Sequence, residues 1–201
     1  MPSAFGGQSQ QRWGDGTLNV SEYMRDFFAT DLNGKTVGTA DARRKGMTVI
    51  AFFEPGNADS EQLMPYLQKF ADGYKESGKL SVLALSGGDL QATQAFVQKY
   101  ALKFPVVIDY DRYHAMVYGV TTNPTLVFAD KDGLVRRKIT GFRGRALNEI
   151  SAAIAQTAEA APVTIVDNEP MPALPPPPAP VPDAAPAGSA PAIPATAAKP
   201  A

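Results

Sequence analysis

An almost wholly apolar run, Met47–Phe53, leads through the turn residues Pro55 and Gly56 into a segment with helical periodicity. A strand of this composition is covered on both faces, which is typical of a sheet with helices on either side. From Asp59 onward, apolar residues recur at helical spacing, and Pro65 removes one backbone donor of that helix. Asp59 or Ser60 is predicted to cap its first turn. The recurring positions are Leu63, Tyr66, Leu67, Phe70, Ala71 and Tyr74.

The chain on either side of this unit continues to alternate strand and helix patterns. Leu80–Leu85 predicts a second buried strand and Gln91–Tyr100 a second helix, with a turn between them that Asp89 caps. Asn33-Gly34 predicts a hairpin of type I′, and Asp132-Gly133 predicts another hairpin further along the chain. A short helix at 110–118 and a closing helix around Leu147, Ile150 and Ile154 complete the pattern. We predict an α/β three-layer sandwich in which helices flank a mixed central sheet.

Composition divides the 201 residues into three zones. Residues 1–21 are polar and predicted to be flexible, and residues 22–160 are predicted to form the folded domain. Residues 161–201 hold 13 of the 18 prolines, including Pro175, Pro176, Pro177 and Pro178. Such a segment is predicted to be disordered or extended as polyproline II. It is interpreted as a spacer, a tether, or an arm that docks its prolines in the aromatic groove of a partner.

Charge and residue counts exclude several kinds of function. Nineteen basic and twenty acidic residues give a net charge of −1, which argues against binding nucleic acid. The chain has no cysteine and one histidine, His114, so disulfides, thiolate catalysis and Cys-ligated or multi-His metal sites are excluded. No cofactor is predicted. No apolar run is long enough to predict a transmembrane helix, and the first residues lack the apolar stretch of a secretory signal.

The order of these elements resembles the thioredoxin-like fold, and within it the redoxin group of TlpA/ResA-type thioredoxins and AhpC/TSA peroxiredoxins. The resemblance covers residues 22–160. It rests on the strand, turn and Pro-containing helix around Pro55, on the opening hairpin at 26–35, and on three short motifs near the end of the domain. Those motifs are Phe104-Pro105-Val106, Tyr118-Gly119-Val120 and Asn123-Pro124-Thr125.

The resemblance implies an active site that has lost its chemistry. The two cysteines of the Cys-x-x-Cys motif correspond to Asn57 and Ser60, and the peroxiredoxin motif, counted from Pro55, reaches Asp59 and Gln62 instead of threonine and cysteine. The alternative interpretation of Asn57 and Ser60 is purely local, as a turn residue and a helix cap.

The resemblance also implies a cis peptide bond before Pro124. In the family, the backbone beside this proline faces the active-site helix and binds extended peptides. Asn57, Ser60, Asn123, Pro124 and Thr125 are therefore the candidate partner contacts. The opposing interpretation is that the cis bond only shapes its loop.

We predict a non-catalytic thioredoxin-like module that binds protein, as an accessory or scaffold subunit with the Pro-rich tail as a docking arm. One alternative is a thiol-disulfide oxidoreductase or peroxiredoxin relative whose cysteines were substituted or are supplied by a partner. Another is a chaperone that holds peptides. The sequence leaves the partner, the oligomeric state and the compartment open, although resemblance to TlpA-type proteins implies an extracytoplasmic, periplasmic location.

Overall fold

The computed structural model describes residues 18–167, which contain a five-stranded sheet, a separate hairpin and five helices. The strands are β1 (Phe28–Thr30), β2 (Thr36–Gly38), β3 (Met47–Phe53), β4 (Leu80–Ser86), β5 (Val106–Ile108), β6 (Thr125–Ala129) and β7 (Val135–Thr140). The helices are α1 (Thr39–Lys45), α2 (Ala58–Gly73), α3 (Leu90–Lys99), α4 (Tyr113–Val117) and α5 (Gly144–Ala158).

Strand β3 lies at the centre of a mixed sheet whose order is β5-β4-β3-β6-β7. It pairs in parallel with β4, where Ile50 faces Leu83, and antiparallel with β6, where Ile50 faces Val127. Every residue of β3 is buried, as expected for a strand covered on both faces. This architecture confirms the predicted thioredoxin-like α/β sandwich with a mixed sheet.

Alternate residues of β3 enter two separate hydrophobic clusters, because successive side chains of a strand point to opposite faces. Val49, Ala51 and Phe53 join the cluster that includes residues of α2, α3 and α5. Ile50 and Phe52 join the cluster that includes residues of α1, α4 and β2. The sheet is thus enclosed between two helical layers, and the carboxyl end of β3 emerges between them.

The two hairpin turns share one construction, which differs from the type I′ turn predicted at Asn33-Gly34. Gly34 donates to the carbonyl of Asp31, and Gly133 donates in the same way to the carbonyl of Asp130. In each turn the aspartate Oδ1 accepts two backbone N–H groups, from the residues two and four positions further on. A type I′ turn requires positive φ at both central residues, but of Asn33 and Gly34 only the glycine has it.

Helix α1 is a difference from the predicted pattern, which contains no helix at 39–45. Its seven residues include only two buried ones, Thr39 and Ala42. Helical periodicity is read from large apolar residues, so a short helix that buries only a threonine and an alanine leaves no such signal.

Buried residues are found beyond the domain borders predicted at 22 and 160, and those borders stay predictions. Leu18 and Ile165 are both fully buried. Pro175–Pro178, the predicted docking arm, lie outside the described residues. Between residues 18 and 167, no helix has the length and apolarity needed to cross a membrane.

Candidate functional site

The amino end of α2 is closed by the side chain of Asn57. Gly56, at φ +83°, turns the chain from β3 into the helix, a conformation that favours glycine. Asn57 then adopts an extended backbone, and its Oδ1 accepts a hydrogen bond of 2.9 Å from the backbone N–H of Ser60. The helix therefore begins at Ala58 with Asn57 as its cap, and the cap predicted at Asp59 or Ser60 is wrong.

Ser60 lies in the first turn of α2 with its side chain turned away from solvent. The residue is fully buried, and its hydroxyl oxygen accepts a hydrogen bond of 3.3 Å from the backbone N–H of Glu54. Since Asn57 N–H also donates to the carbonyl of Glu54, two bonds tie the helix start to the end of β3. The hydroxyl of Ser60 thus holds the turn together and does not face a partner.

The Asn123-Pro124 peptide bond is cis, as the resemblance implied. Pro124 and Thr125 are buried, and the Thr125 hydroxyl donates to the carbonyl of Thr122 at 2.6 Å. Thr125 also pairs with Phe52 in the sheet, so the loop is fixed directly beside the end of β3. Asn123, in contrast to Pro124 and Thr125, is partly exposed, and it carries a polar side chain.

Glu54 joins the two halves of the site. Its Oε2 accepts a hydrogen bond of 2.9 Å from Asn123 Nδ2 and another of 3.1 Å from Arg112 Nη1. Glu54 and Arg112 are both about half exposed, with side-chain exposures of 46% and 42%. The carboxylate therefore connects β3, the cis-proline loop and the residue that precedes α4.

The sequence interpretation singled out neither Glu54 nor Arg112, although one signal of their arrangement is visible in the sequence. Gly87-Gly88 follows β4 directly. A Cβ on Gly87 would lie 2.3 Å from Arg112 Nη1, and one on Gly88 would lie 2.8 Å from Pro55 Cδ. The glycine pair therefore leaves room for the arginine and for the turn before α2.

The five candidate contacts divide into two groups in the structure. Asn57 and Asn123 are partly exposed, whereas Ser60, Pro124 and Thr125 are buried. Hydrogen bonds through Glu54 bring Asn57, Ser60 and Asn123 into one network. The buried members shape the surface from below, and the two asparagines are the ones that a partner can reach.

A second polar cluster lies along the side of α2, where Glu61 accepts hydrogen bonds from Lys99 and Tyr100 of the neighbouring helix region. The hydrogen bond from Lys99 lowers the pKa of the Glu61 carboxyl, and the hydrogen bond with Tyr100 raises the pKa of Lys99, with Glu61 adding to it. Both shifts favour the charged forms, so this cluster offers an ion pair and no acid or base poised near neutral pH.

The single imidazole belongs to α4 and is engaged there. His114 Nδ1 lies 2.9 Å from Oδ1 of Asp109, a buried carboxylate that also accepts the backbone N–H groups of His114 and Ala115. The ring packs against Phe27 at 4.8 Å between centroids. Among residues 18–167, no group of three or more potential His, Asp or Glu ligands is placed to hold a metal ion.

Comparison with known proteins shows that thiol-disulfide oxidoreductases are among the proteins similar to this chain. The model of the AhpC/TSA family matches residues 20–138. The thiol-disulfide oxidoreductase ResA of Bacillus thuringiensis (strain Al Hakam) is 34% identical over 125 residues, which cover 62% of this chain and 71% of ResA.

Two solved structures share the fold. A putative thiol:disulfide interchange protein DsbE from Chlorobium tepidum superposes with a TM-score of 0.64 at 21% identity, over 71% of this chain and 99% of that protein. A putative thioredoxin from Neisseria meningitidis superposes with a TM-score of 0.58 at 28% identity, over 70% and 91% of the two chains.

Proposed function

The chain belongs to the AhpC/TSA family, and on that premise we propose that it is a non-catalytic member that binds protein through the surface where its relatives carry their thiols. In this proposal the fold positions a binding surface, and the exposed parts of Asn57 and Asn123 are its central contacts. The chain acts as an accessory or scaffold subunit within a larger assembly.

One observation carries the proposal: the polar groups at the start of α2 are used to hold the site's shape. Asn57 Oδ1 caps the helix, the Ser60 hydroxyl accepts from Glu54, and the Glu54 carboxylate bridges Asn123 and Arg112. Neither an amide nor a buried serine hydroxyl ionises near neutral pH, and a serine nucleophile needs a neighbouring base. The only histidine instead pairs with Asp109.

A peptide is the ligand class that this surface fits best. The cis-proline loop stands beside the end of β3. Since Asn57 Oδ1 caps α2 and Asn123 Nδ2 donates to Glu54, Asn57 Nδ2 supplies the donor and Asn123 Oδ1 the acceptor for a peptide. Such groups suit the backbone of an extended chain, which presents alternating N–H and C=O groups. Residues 168–201 add a second contact in this proposal, with Pro175–Pro178 docking in an aromatic groove of the same partner. An extracytoplasmic location accompanies the proposal as an expectation from the family resemblance.

The proposal is tested by separating binding from chemistry. Alkylated insulin B chain, which cannot exchange disulfides, is titrated into the full chain and followed by fluorescence anisotropy, and intact insulin with dithiothreitol serves for the redox assay. We expect saturable binding and no acceleration of insulin reduction. The double variant Asn57→Asp with Asn123→Ala should weaken binding at least tenfold, because the introduced carboxylate would keep the helix cap while both amides are lost.

Asn33→Ala, in the β1–β2 turn, is the matched control and should bind as the wild type does. Turnover of insulin by the wild-type chain would contradict the proposal and favour an oxidoreductase that uses a partner's thiol. Equal affinity of the double variant and the wild type for the peptide would show that the peptide does not bind at this surface.

A further inference from the structure

The segment that follows α5, Val163–Asp167, lies against α2 and α5 and is bound there largely by side chains. Ile165 is fully buried and Val166 nearly so, within the same cluster as α2 and α5. Val163 packs on Gly73 at the end of α2, where a Cβ would meet a Val163 methyl carbon at 3.0 Å. We refer to Val163–Asp167 as the strap and to the surface beneath it as the α2–α5 groove.

Asn148 of α5 binds the backbone of the strap at three atoms. Its Oδ1 accepts hydrogen bonds from the N–H groups of Ile165 and Val166, at 2.9 and 3.0 Å, and its Nδ2 donates to the carbonyl of Val166 at 3.0 Å. Asn148 is fully buried. A buried amide without such partners is costly, so this side chain suits a groove that contains a peptide.

Three further side chains complete the backbone contacts. The hydroxyl of Tyr74 accepts from the N–H of Val163 at 3.2 Å and contacts Ser151 at 2.7 Å. The hydroxyl of Ser151 donates to the carbonyl of Val163. Lys69 Nζ donates to the carbonyl of Ile165 at 3.1 Å and also pairs with Asp167 at the end of the strap.

These contacts have the character of peptide recognition. Main-chain hydrogen bonds hold the segment, which bends at Ile165 and Val166, and specificity comes from the places that its side chains occupy. Here the groove supplies main-chain partners from both helices, an apolar site for Ile165 and a glycine that leaves room for Val163. The strap is joined to α5 by residues 159–162, and Glu159, which ends the helix, has a left-handed backbone (φ +55°) that turns the chain toward the groove.

We propose that the α2–α5 groove is a binding site for a short aliphatic peptide that bends where Asn148 binds it, and that its ligand is the chain's own strap. The strap is thus a tethered ligand, joined to the domain through the end of α5. This inference concerns the side of α2 and its carboxyl end, and it does not depend on the function proposed for the amino end of that helix.

The test is to cut the tether in the otherwise intact chain. A site for a specific protease is inserted between Ala160 and Ala161, and the purified full-length protein is cleaved. We expect the released piece, from Ala161 to the end, to co-elute with the domain in gel filtration. A labelled synthetic peptide of residues 161–167 should then bind the cleaved protein saturably and displace that piece, while the uncut chain should bind at least tenfold more weakly.

Two variants show whether retention uses the groove. Asn148→Ala removes the three backbone contacts, and Gly73→Leu places a side chain where Val163 packs; each should weaken peptide binding at least tenfold. Circular dichroism of each uncut variant establishes that it is folded, and Asp72→Ala, an exposed neighbour of Gly73, is the control that should retain the peptide. Immediate loss of the cleaved piece, or unchanged retention in a folded Gly73→Leu variant, would overturn the proposal.

Discussion

The carboxylate of Glu54 accepts a hydrogen bond from the side-chain amide of Asn123 at 2.9 Å. The two residues lie far apart in the sequence, and their contact closes the gap between the end of β3 and the cis-proline loop. Arg112 donates to the same carboxylate oxygen at 3.1 Å. The surface on which the proposed binding depends is therefore held by charge-assisted hydrogen bonds to one carboxylate.

The contribution of this bond can be measured by a double-mutant cycle. Glu54→Ala, Asn123→Ala and the double variant should give a coupling free energy of about 0.5–1 kcal/mol in urea unfolding, near the lower end for hydrogen bonds because Glu54 is partly exposed. The surface pair Arg145 and Glu149 on α5 is the matched cycle, with an expected coupling of about 0.3 kcal/mol. Equal coupling in the two cycles would show that the Glu54 bond is an ordinary surface contact.

Because the two hairpin turns share one construction, we expect their aspartates to contribute more to the free energy of unfolding than the residues that directly precede their glycines. Asp31→Ala removes the acceptor for the N–H groups of Asn33 and Lys35 and should cost about 1–2 kcal/mol of unfolding free energy. Asp31→Asn keeps Oδ1 and should cost much less. Asn33→Ala, which leaves both bonds in place, is the control, and a loss as large as that of Asp31→Ala would contradict this assignment.

We expect the Tyr118 phenol to make the stability of the fold depend on pH in the alkaline range. It is buried beside Phe52, and its hydroxyl donates to the carbonyl of Arg25 at 2.6 Å. Burial raises the pKa of the Tyr118 phenol, and the nearby Asp26 carboxylate raises it further. The pKa of the phenol is therefore higher in the folded chain than in the unfolded chain. The contribution of Tyr118 to the free energy of unfolding is complete below about pH 10 and declines as the pH rises beyond it.

Tyr118→Phe should therefore cost about 1 kcal/mol at neutral pH, where it leaves the Arg25 carbonyl without this donor. The difference between wild type and variant should narrow above about pH 10, measured by urea unfolding across the pH range. Tyr110→Phe, at an exposed tyrosine, should show no such narrowing. A constant difference between wild type and Tyr118→Phe would rule out the linkage.

The sequence predicted the central strand and the long helix because their signals are local. Met47–Phe53 reads as a buried strand from composition alone, and α2 reads as a helix from the spacing of its apolar residues. The cis bond at Pro124 followed from resemblance, since no local signal distinguishes cis from trans before proline. Prediction succeeded where neighbouring residues determine the structure or where the order of motifs is family-specific.

The contacts that complete the site and the strap could not be predicted in this way. Glu54 meets Arg112 only after β4 and β5 have been placed in the sheet, so no spacing in the sequence indicates the pair. Ile165 lies where the composition becomes rich in proline and alanine, and its backbone is held by Asn148 of α5 and by Lys69 of α2. Both the Glu54–Arg112 pair and the burial of Ile165 depend on packing between distant parts of the chain, which the periodicity of apolar residues does not reveal.

We expect alanine substitutions at two glycines with positive φ to lower the free energy of unfolding by different amounts. A Cβ on Gly46 (φ +142°) would lie 2.3 Å from the carbonyl oxygen of Lys79, whereas one on Gly78 (φ +63°) would meet nothing within 4 Å. Gly78→Ala should cost about 1 kcal/mol from its backbone conformation, and Gly46→Ala should cost about 3 kcal/mol or more because the start of β3 must also move. Thermal unfolding compares the two, and similar losses would show that the backbone at Gly46 yields readily.

Restoring thiols tests whether the site keeps the geometry of its relatives. In Asn57→Cys with Ser60→Cys, the first thiol would sit at the amino end of α2, where free N–H groups and the helix dipole lower a thiol pKa. Loss of the cap should cost about 1 kcal/mol, and we expect the variant to form an internal disulfide and to reduce insulin.

The matched control is Asp89→Cys with Ala92→Cys at the start of α3, where Asp89 Oδ1 accepts from the N–H of Ala92 as Asn57 Oδ1 accepts from that of Ser60. That pair has a helix amino end without the cis-proline loop, so its thiol should react with iodoacetamide but reduce insulin far more slowly. Equal insulin reduction by the two pairs would show that the cis-proline loop adds nothing to the site, and an inactive Asn57→Cys, Ser60→Cys variant that still forms its disulfide would show that the surface no longer admits a redoxin substrate.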